Sequence, residues 1–341
     1  MNTLDPRKYT VAWLAPLEIE ARAARCMLDT EHQGRFPRRE SDDHTFNAGE
    51  IGDHNVVIAT FPPGTAYGTG SAADLARAVK SFFPNVRLAL LVGIAAGMPD
   101  LRKTPSGYHL RDIRLGDVLV AMGSSNSSAV IPYDLGKSTT DGLKLLRHGH
   151  GLPDTQAIIR SAIGEIQREE PEDLKLFVPY YEAMKNKRLP TSRFTRDSYA
   201  DPGLENDRYY RYHNAGGKIR VDRPDRPANE RTRVWYGTIG SGEKVIKNEE
   251  KREDLVTVMQ EEVIGLEMEA AGTLRVFPAG VIQGVCDYGN DDKNDDWQPF
   301  AAAMAAAYAK AVLMRLYEVD REPPLAEIAP EPRRDAVAVP Q

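Results

Sequence analysis

Two short segments near the end of the chain, Ile264-Gly-Leu-Glu-Met-Glu-Ala-Ala-Gly272 and Gly284-Val-Cys-Asp-Tyr-Gly-Asn290, decide how the sequence is interpreted. The small residues after Glu269 are typical of a helix start, and we predict a helix from about 269 to 276. The apolar residues that precede Asp287 predict a buried strand. A helix that leaves one edge of a sheet, followed by a strand that returns to that edge, would bring the two carboxylates together.

Two carboxylates at one sheet edge favour acid catalysis combined with substrate binding. Spacing alone, however, favours the simpler interpretation, in which Glu269 caps a helix and Asp287 belongs to a turn. The rest of the sequence has to decide between these alternatives.

The composition is that of a soluble globular protein, with 341 residues, 41% hydrophobic and 28% charged. No apolar run approaches the roughly 20 residues that span a bilayer, and the N-terminal residues lack the apolar core of a signal peptide. Cys26 and Cys286 are too few for a disulfide framework, which favours a reducing, cytoplasmic environment. The cysteines and histidines show no metal-ligand spacing. The acidic run 291–296 lacks the spacing of a calcium loop, so we predict no metal site.

Strands and helices are predicted to alternate in the first third of the chain. The predicted order is strand 10–15, helix 16–28, strand 56–60, helix 71–82 and strand 88–92. This order predicts an α/β fold, with three layers and a central mixed, largely parallel sheet flanked by helices. We expect a flexible arm at 1–8, a single domain over 9–317 with an irregular insertion at about 138–232, and a flexible Pro-rich tail at 318–341.

The insertion is basic. Residues 185–233 contain 13 Lys and Arg against 7 Asp and Glu, a net of +6, which leaves −12 for the rest of the −6 chain. A basic segment on an acidic protein fits a phosphate-bearing ligand, and it fits a solvated insertion equally well. Both interpretations stay open.

Ordered motifs along the chain resemble the nucleoside phosphorylase and nucleosidase superfamily, which includes purine nucleoside phosphorylase and methylthioadenosine nucleosidase. The resemblance is strongest to the branch found in fungal and bacterial defence-type proteins. The matching segments are 15–18, 67–69, 91–97, 113–118, 131–137, 236–242, 266–272, 285–288 and 293–299.

The resemblance assigns unequal roles to the two carboxylates. Asp287 matches the acid that protonates or hydrogen-bonds N7 of the leaving purine, and we expect burial beside Cys286 to raise its pKa. Glu269 matches the carboxylate that holds the ribose hydroxyls, and Met268 packs under the sugar. The other substrate-binding positions that it implies are Tyr67, Gly68, Thr69, Ala95, Ala96, Gly97, Val245 and Ile246.

The nucleophile distinguishes two kinds of enzyme. In the hydrolases of this superfamily a glutamate after the first strand orients a water molecule; Glu18 matches best, and Glu20 is the alternative. In the phosphorylases arginines hold phosphate, and the loops at 15–18 and 93–97 contain no arginine, which favours water.

The resemblance therefore implies an N-ribosyl hydrolase of purine nucleosides or nucleotides, with adenine favoured and ATP among the candidates. The alternatives are a phosphate-dependent phosphorylase, for which phosphate would be the co-substrate, and a non-catalytic nucleotide-sensing or interaction module. We expect a small-molecule substrate, no cofactor, no nucleic-acid polymer, no membrane, and a homo-oligomer.

Overall fold

A computed structural model describes residues 2–37, 44–103, 109–124, 127–134, 136–140, 142–145, 152–189, 197–212, 217–259 and 263–316. The predicted tail at 318–341 lies outside the described residues. Among the described helices, none is long and apolar enough to cross a bilayer.

The described part of the chain alternates between helices and strands. The α-helices are α1 (Glu18–Met27), α2 (Thr69–Phe82), α3 (Ala157–Arg168), α4 (Leu174–Met184), α5 (Glu249–Met259), α6 (Ala270–Leu274) and α7 (Gln298–Leu313). The strands are β1 (Val11–Leu14), β2 (Thr30–Glu31), β3 (Phe46–Ile51), β4 (His54–Ala59), β5 (Leu88–Gly97), β6 (Asp100–Lys103), β7 (His109–Arg111), β8 (Val118–Ala121), β9 (Val130–Pro132), β10 (Gly136–Thr139), β11 (Gly142–Leu145), β12 (Tyr210–Tyr212), β13 (Lys218–Arg220), β14 (Val234–Ser241), β15 (Val263–Glu267) and β16 (Gly280–Asp287).

The main sheet has the strand order β15-β14-β8-β16-β5-β1-β4-β3-β2, and β9 pairs with β14. Neighbouring strands are parallel from β5 through β1 to β4, and antiparallel at β16–β8 and along β4-β3-β2. β15 pairs with β14 on one side and with β5 on the other, so that β5, β16, β8, β14 and β15 form a closed ring. The mixed, largely parallel sheet of the predicted α/β fold is confirmed.

Helix α7 is buried along its whole length and packs against β16, β5, α1 and α4. Its run of alanines allows the helix backbone to approach the sheet closely. A Cβ atom added to Gly284 would lie 2.0 Å from the carbonyl oxygen of Ala301, so only glycine fits beneath the helix. Helix α2 packs against α6 and β1.

Two arginines of the basic insertion, Arg223 and Arg226, form ion pairs with acidic residues of this same chain. Arg226 Nη1 lies 2.6 Å from Asp117 Oδ1, and Arg223 Nη2 lies 2.8 Å from Asp207 Oδ1. Asp117 is fully buried and also accepts hydrogen bonds from the backbone N–H of Arg233 and the indole of Trp235. A buried charge needs such partners. The Arg226–Asp117 pair therefore holds the insertion on the domain, whereas the Arg223–Asp207 pair lies within the insertion.

The N-terminal residues, which we expected to form a flexible arm, contact the domain. Thr3 forms a parallel bridge with Arg35, and the backbone N–H of Leu4 donates to the Arg35 carbonyl at 2.9 Å. Pro6–Lys8 forms a short 3-10 helix. The segment is therefore anchored along its backbone.

Candidate active site

A cavity of about 580 Å³ opens where the ring strands β5, β15 and β16 end. This volume is typical of a small-molecule site. The predicted residues that line the cavity are Tyr67, Ala95, Ala96, Val245, Ile246, Met268, Glu269 and Asp287. Gly68, Thr69, Gly97 and Glu18 are not among its lining residues.

Strand register explains why the two carboxylates meet. β16 runs parallel to β5, and an irregularity beside Cys286 places Asp287 opposite Ala96. β15 runs antiparallel to β5 and places Leu266 opposite the same Ala96. The backbone at Ala96 therefore lies between Asp287 on one side and the segment leading to Glu269 on the other. The predicted convergence is present, but it depends on β15, a strand that we did not predict.

Asp287 is buried at the end of β16 and is held in place by three neighbouring groups. Its Oδ1 atom accepts a hydrogen bond from the backbone N–H of Gly289 at 2.8 Å. Its Oδ2 atom lies 3.4 Å from the thiol sulfur of Cys286 and 3.1 Å from the Nζ atom of Lys293. Lys293 also lines the cavity.

Lys293 was missed as a functional residue, although it lies within a matching segment of the sequence. Burial by itself would lower the pKa of Lys293, but Asp287, Cys286 and Asp295 beside it together outweigh burial and raise the pKa. The side chain is therefore a protonated ammonium in contact with the carboxylate of Asp287.

Glu20, and not Glu18, lies at the cavity. Its two carboxylate oxygens accept hydrogen bonds from the backbone N–H groups of Leu17, at 2.8 Å, and Ile94, at 3.0 Å. Burial, reinforced by the charge of Glu267, raises the pKa of Glu20 to about 8 against the opposing effect of these hydrogen bonds. A carboxyl with this pKa can exchange a proton near neutral pH.

Glu18 faces solvent on the other side of α1. Its side chain is 71% exposed and forms an ion pair with Arg22 at 2.6 Å. The helix begins at Glu18, and a step of two residues rotates a side chain by about 200° around the helix axis. The structure thus separates two glutamates that the sequence left as alternatives.

Glu269 faces the cavity while a neighbour caps its helix. The Glu267 carboxylate accepts hydrogen bonds from the backbone N–H groups of Glu269, at 2.9 Å, and Ala270, at 2.8 Å, at the start of α6. The backbone N–H groups of Gly68 and Met268 favour the ionised form of Glu269 and so act to lower its pKa. Burial and the charges of Glu267 and Glu20 raise the pKa of Glu269 well above its usual value. The capping role considered for Glu269 therefore belongs to Glu267.

The loop after β14 supplies the opposite wall of the cavity. It contributes Lys244, Val245, Ile246 and Lys247, and both lysines are exposed. No arginine occurs among the described residues that line the cavity. Within the described ranges, no group of His, Cys, Asp or Glu side chains is arranged to hold a metal ion.

No family model matches the chain. A nucleotide-binding leucine-rich repeat (NLR)-like protein of Hyaloscypha variabilis is 35% identical over 314 residues, which are 91% of this chain. The chain spans 30% of the length of that relative. The match agrees with the resemblance to the defence-type branch.

Solved structures of nucleosidases superpose on nearly the whole chain. Futalosine hydrolase of Helicobacter pylori matches with a TM-score of 0.56 and 14% identity, covering 91% of this chain and 99% of its own. The 5'-methylthioadenosine/S-adenosylhomocysteine nucleosidase of Neisseria meningitidis, in complex with methylthio-immucillin-A, matches with a TM-score of 0.55 and 17% identity, covering 89% and 98%. The chain therefore has the fold of the nucleoside phosphorylase and nucleosidase superfamily, as its motifs predicted.

Proposed function

We propose that the protein is an N-ribosyl hydrolase that cleaves the N-glycosidic bond of a purine nucleoside or nucleotide and releases the free base. The observation that carries the proposal is the arrangement of Asp287, Glu269 and Glu20 around one cavity. Adenine is the favoured base, and the nucleosidase structures of the same fold support this class of substrate.

Asp287 is the proposed acid. As the bond between the sugar and the purine breaks, its electron pair passes to the base, and a proton delivered to N7 makes the base a better leaving group. Lys293 orients the Asp287 side chain through their 3.1 Å contact. Gly289 fixes the other carboxylate oxygen, so the group is oriented before substrate binds.

Glu269 is the proposed ligand of the ribose hydroxyls, with Met268 beside it in the cavity wall. The raised pKa of Glu269 shows that burial disfavours its ionised form. Ribose hydroxyls that donate hydrogen bonds to the carboxylate would stabilise this form in place of water. A sugar held at two hydroxyls presents its anomeric carbon in a fixed position, and such orientation lowers the barrier to reaction.

Glu20 is the proposed base that orients the attacking water and accepts its proton. This proposal replaces Glu18, which lies outside the cavity. One observation favours water over phosphate as the nucleophile. No described residue that lines the cavity is an arginine that could hold a phosphate dianion.

The exposed Lys244 and Lys247 support a substrate with phosphate groups, ATP among them. Arg223 and Arg226 of the basic insertion, which we considered for this role, are paired with acidic residues of the chain. We propose that the lysines of the loop after β14 bind the phosphate groups, because both line the cavity.

The test is chromatography of adenosine, inosine, guanosine, AMP and ATP after incubation with the protein, with and without inorganic phosphate. Release of adenine without phosphate, with Asp287→Asn inactive, supports the proposal. Strict dependence on phosphate would make the protein a phosphorylase. No free base from any of these compounds would contradict an enzymatic function for the site, and would favour a nucleotide-sensing module.

A further inference from the structure

The segment 242–248, which we call the strap, connects β14 to α5 and forms one wall of the cavity. Its lining residues include Lys244 and Val245, and the Val245 side chain is 51% exposed. Tyr67, in the segment before α2, also lines the cavity and is 50% exposed. Large apolar side chains left open at a cavity are surfaces that a ligand can cover.

One side chain, Glu243, joins these two walls. Its Oε1 atom accepts hydrogen bonds from the backbone N–H groups of Thr69, at 2.9 Å, and Gly70, at 3.3 Å, and from the Thr69 hydroxyl. These donors belong to the first turn of α2, whose own N-cap residue, Gly68, has no side chain to satisfy them. Glu243 therefore caps a helix that is distant in sequence.

The strap has two further attachments close to Glu243. The backbone N–H of Glu243 donates to Asp134 Oδ2 at 2.7 Å, and the Tyr133 hydroxyl donates to the Lys244 carbonyl at 3.3 Å. All three contacts lie at the start of the strap, next to β14. The position of Lys244 and Val245 over the cavity therefore depends on this anchored end.

The charge of Glu243 is also accounted for. A carboxylate at the N-terminus of a helix is stabilised by the backbone N–H groups there and by the helix dipole. Because this contact offsets the negative charge of Glu243, that charge does not neutralise Lys244 and Lys247. The two lysines therefore face an incoming ligand as cations.

We propose that Glu243 is a positioning residue that fixes the strap against the start of α2 and thereby sets the affinity of the cavity for its substrate. Glu243 does not line the cavity, so it acts through Val245, Lys244 and Tyr67. The inference deepens the proposed function and rests on it. It assigns substrate affinity to a contact that is remote from the reacting bond.

The test compares Glu243→Ala with Glu243→Gln. Glu243→Ala loses the charge-assisted hydrogen bonds and should raise KM for the base-releasing reaction about tenfold, with kcat within about threefold of the wild type. The melting temperature should change little, because the contact is exposed. Glu243→Gln keeps an acceptor oxygen and restores KM to within about threefold of the wild type. Thr69→Val, which removes the hydroxyl donor, adds little to the effect of Glu243→Ala, because both act on one contact.

A wild-type KM in Glu243→Ala would overturn the inference. So would a parallel loss of kcat and melting temperature that Glu243→Gln does not restore, since that pattern indicates a purely structural contact. Calorimetric titration with adenosine and with ATP, in an Asp287→Asn background, measures affinity without turnover. If the wild type releases no base, the proposed function fails, and the titration still decides whether Glu243 sets ligand affinity: weaker binding in Glu243→Ala upholds it and equal binding refutes it.

Discussion

Replacement of Glu20 by glutamine should make the protein more stable at pH 8 and remove its activity. Glu20 is 6% exposed, and burial raises its pKa from 4.5 to about 8. Below about pH 4.5 the carboxyl is protonated in the folded and the unfolded chain. Between about pH 4.5 and 8 only the unfolded chain ionises, so wild-type stability falls as the pH rises through this window.

The size of the effect follows from the two pKa values. Linkage gives a destabilisation of about 1 kcal/mol at pH 5 and about 4 kcal/mol at pH 8. Glutamine has one acceptor oxygen for the two backbone N–H groups of Leu17 and Ile94, which costs about 1–3 kcal/mol at either pH. Glu20→Gln should therefore be about 1–3 kcal/mol more stable than the wild type at pH 8, and about 0–2 kcal/mol less stable at pH 5.

Urea unfolding of the free protein at pH 5 and pH 8 measures this change of sign. The matched control is Glu18→Gln, two residues away on the same helix, which should change stability by less than about 0.5 kcal/mol at both pH values because its side chain faces solvent. Glu18→Gln should also keep its base-releasing activity, whereas Glu20→Gln should lose it. A stability difference for Glu20→Gln that does not vary with pH would refute a raised pKa in the folded state.

Other substitutions test the remaining parts of the site and fold. Asp287→Asn should lower kcat by about 10²–10⁴, the usual contribution of a general acid, with the melting temperature nearly unchanged, and chromatographic base release measures it. Lys293→Met should lower kcat by about tenfold, and the double variant with Asp287→Asn should be no worse than Asp287→Asn alone, because Lys293 acts through its contact with Asp287; additive losses would contradict this. Gly284→Ala should destabilise the protein by about 3 kcal/mol or more, because the new methyl group would meet the α7 backbone, and a wild-type urea midpoint would contradict the packing described.

The α/β class was predictable because its strands are continuous apolar runs, such as 88–92, separated by amphipathic helices. The convergence of Glu269 and Asp287 was also predictable, but the reason given for it was incomplete. The strand β15 is only five residues long and merges into the Glu-Met-Glu motif. Its antiparallel pairing with β5 is a long-range contact that local periodicity does not reveal.

The sequence could not distinguish Glu18 from Glu20, because which of the two side chains faces the cavity depends on the orientation of α1 relative to the sheet. Lys293 could not be assigned because its contact with Asp287 depends on the turn between β16 and α7. Ion pairing of the basic insertion was hidden for a similar reason. Net charge counts Arg226 as a free cation, whereas it is paired with the buried Asp117, which lies far outside the counted segment.

The closed ring of five strands also constrains the order in which the molecule can fold. β5 ends at Gly97, while β15 and β16, its neighbours in the ring, begin at Val263 and Gly280. Pairings across such long stretches of chain form slowly, since loop closure precedes any gain from the contacts. During synthesis the first strands can associate early, but the cavity cannot exist until residue 287 has emerged and the ring has closed. The proposed site would thus be incomplete while the chain is being made.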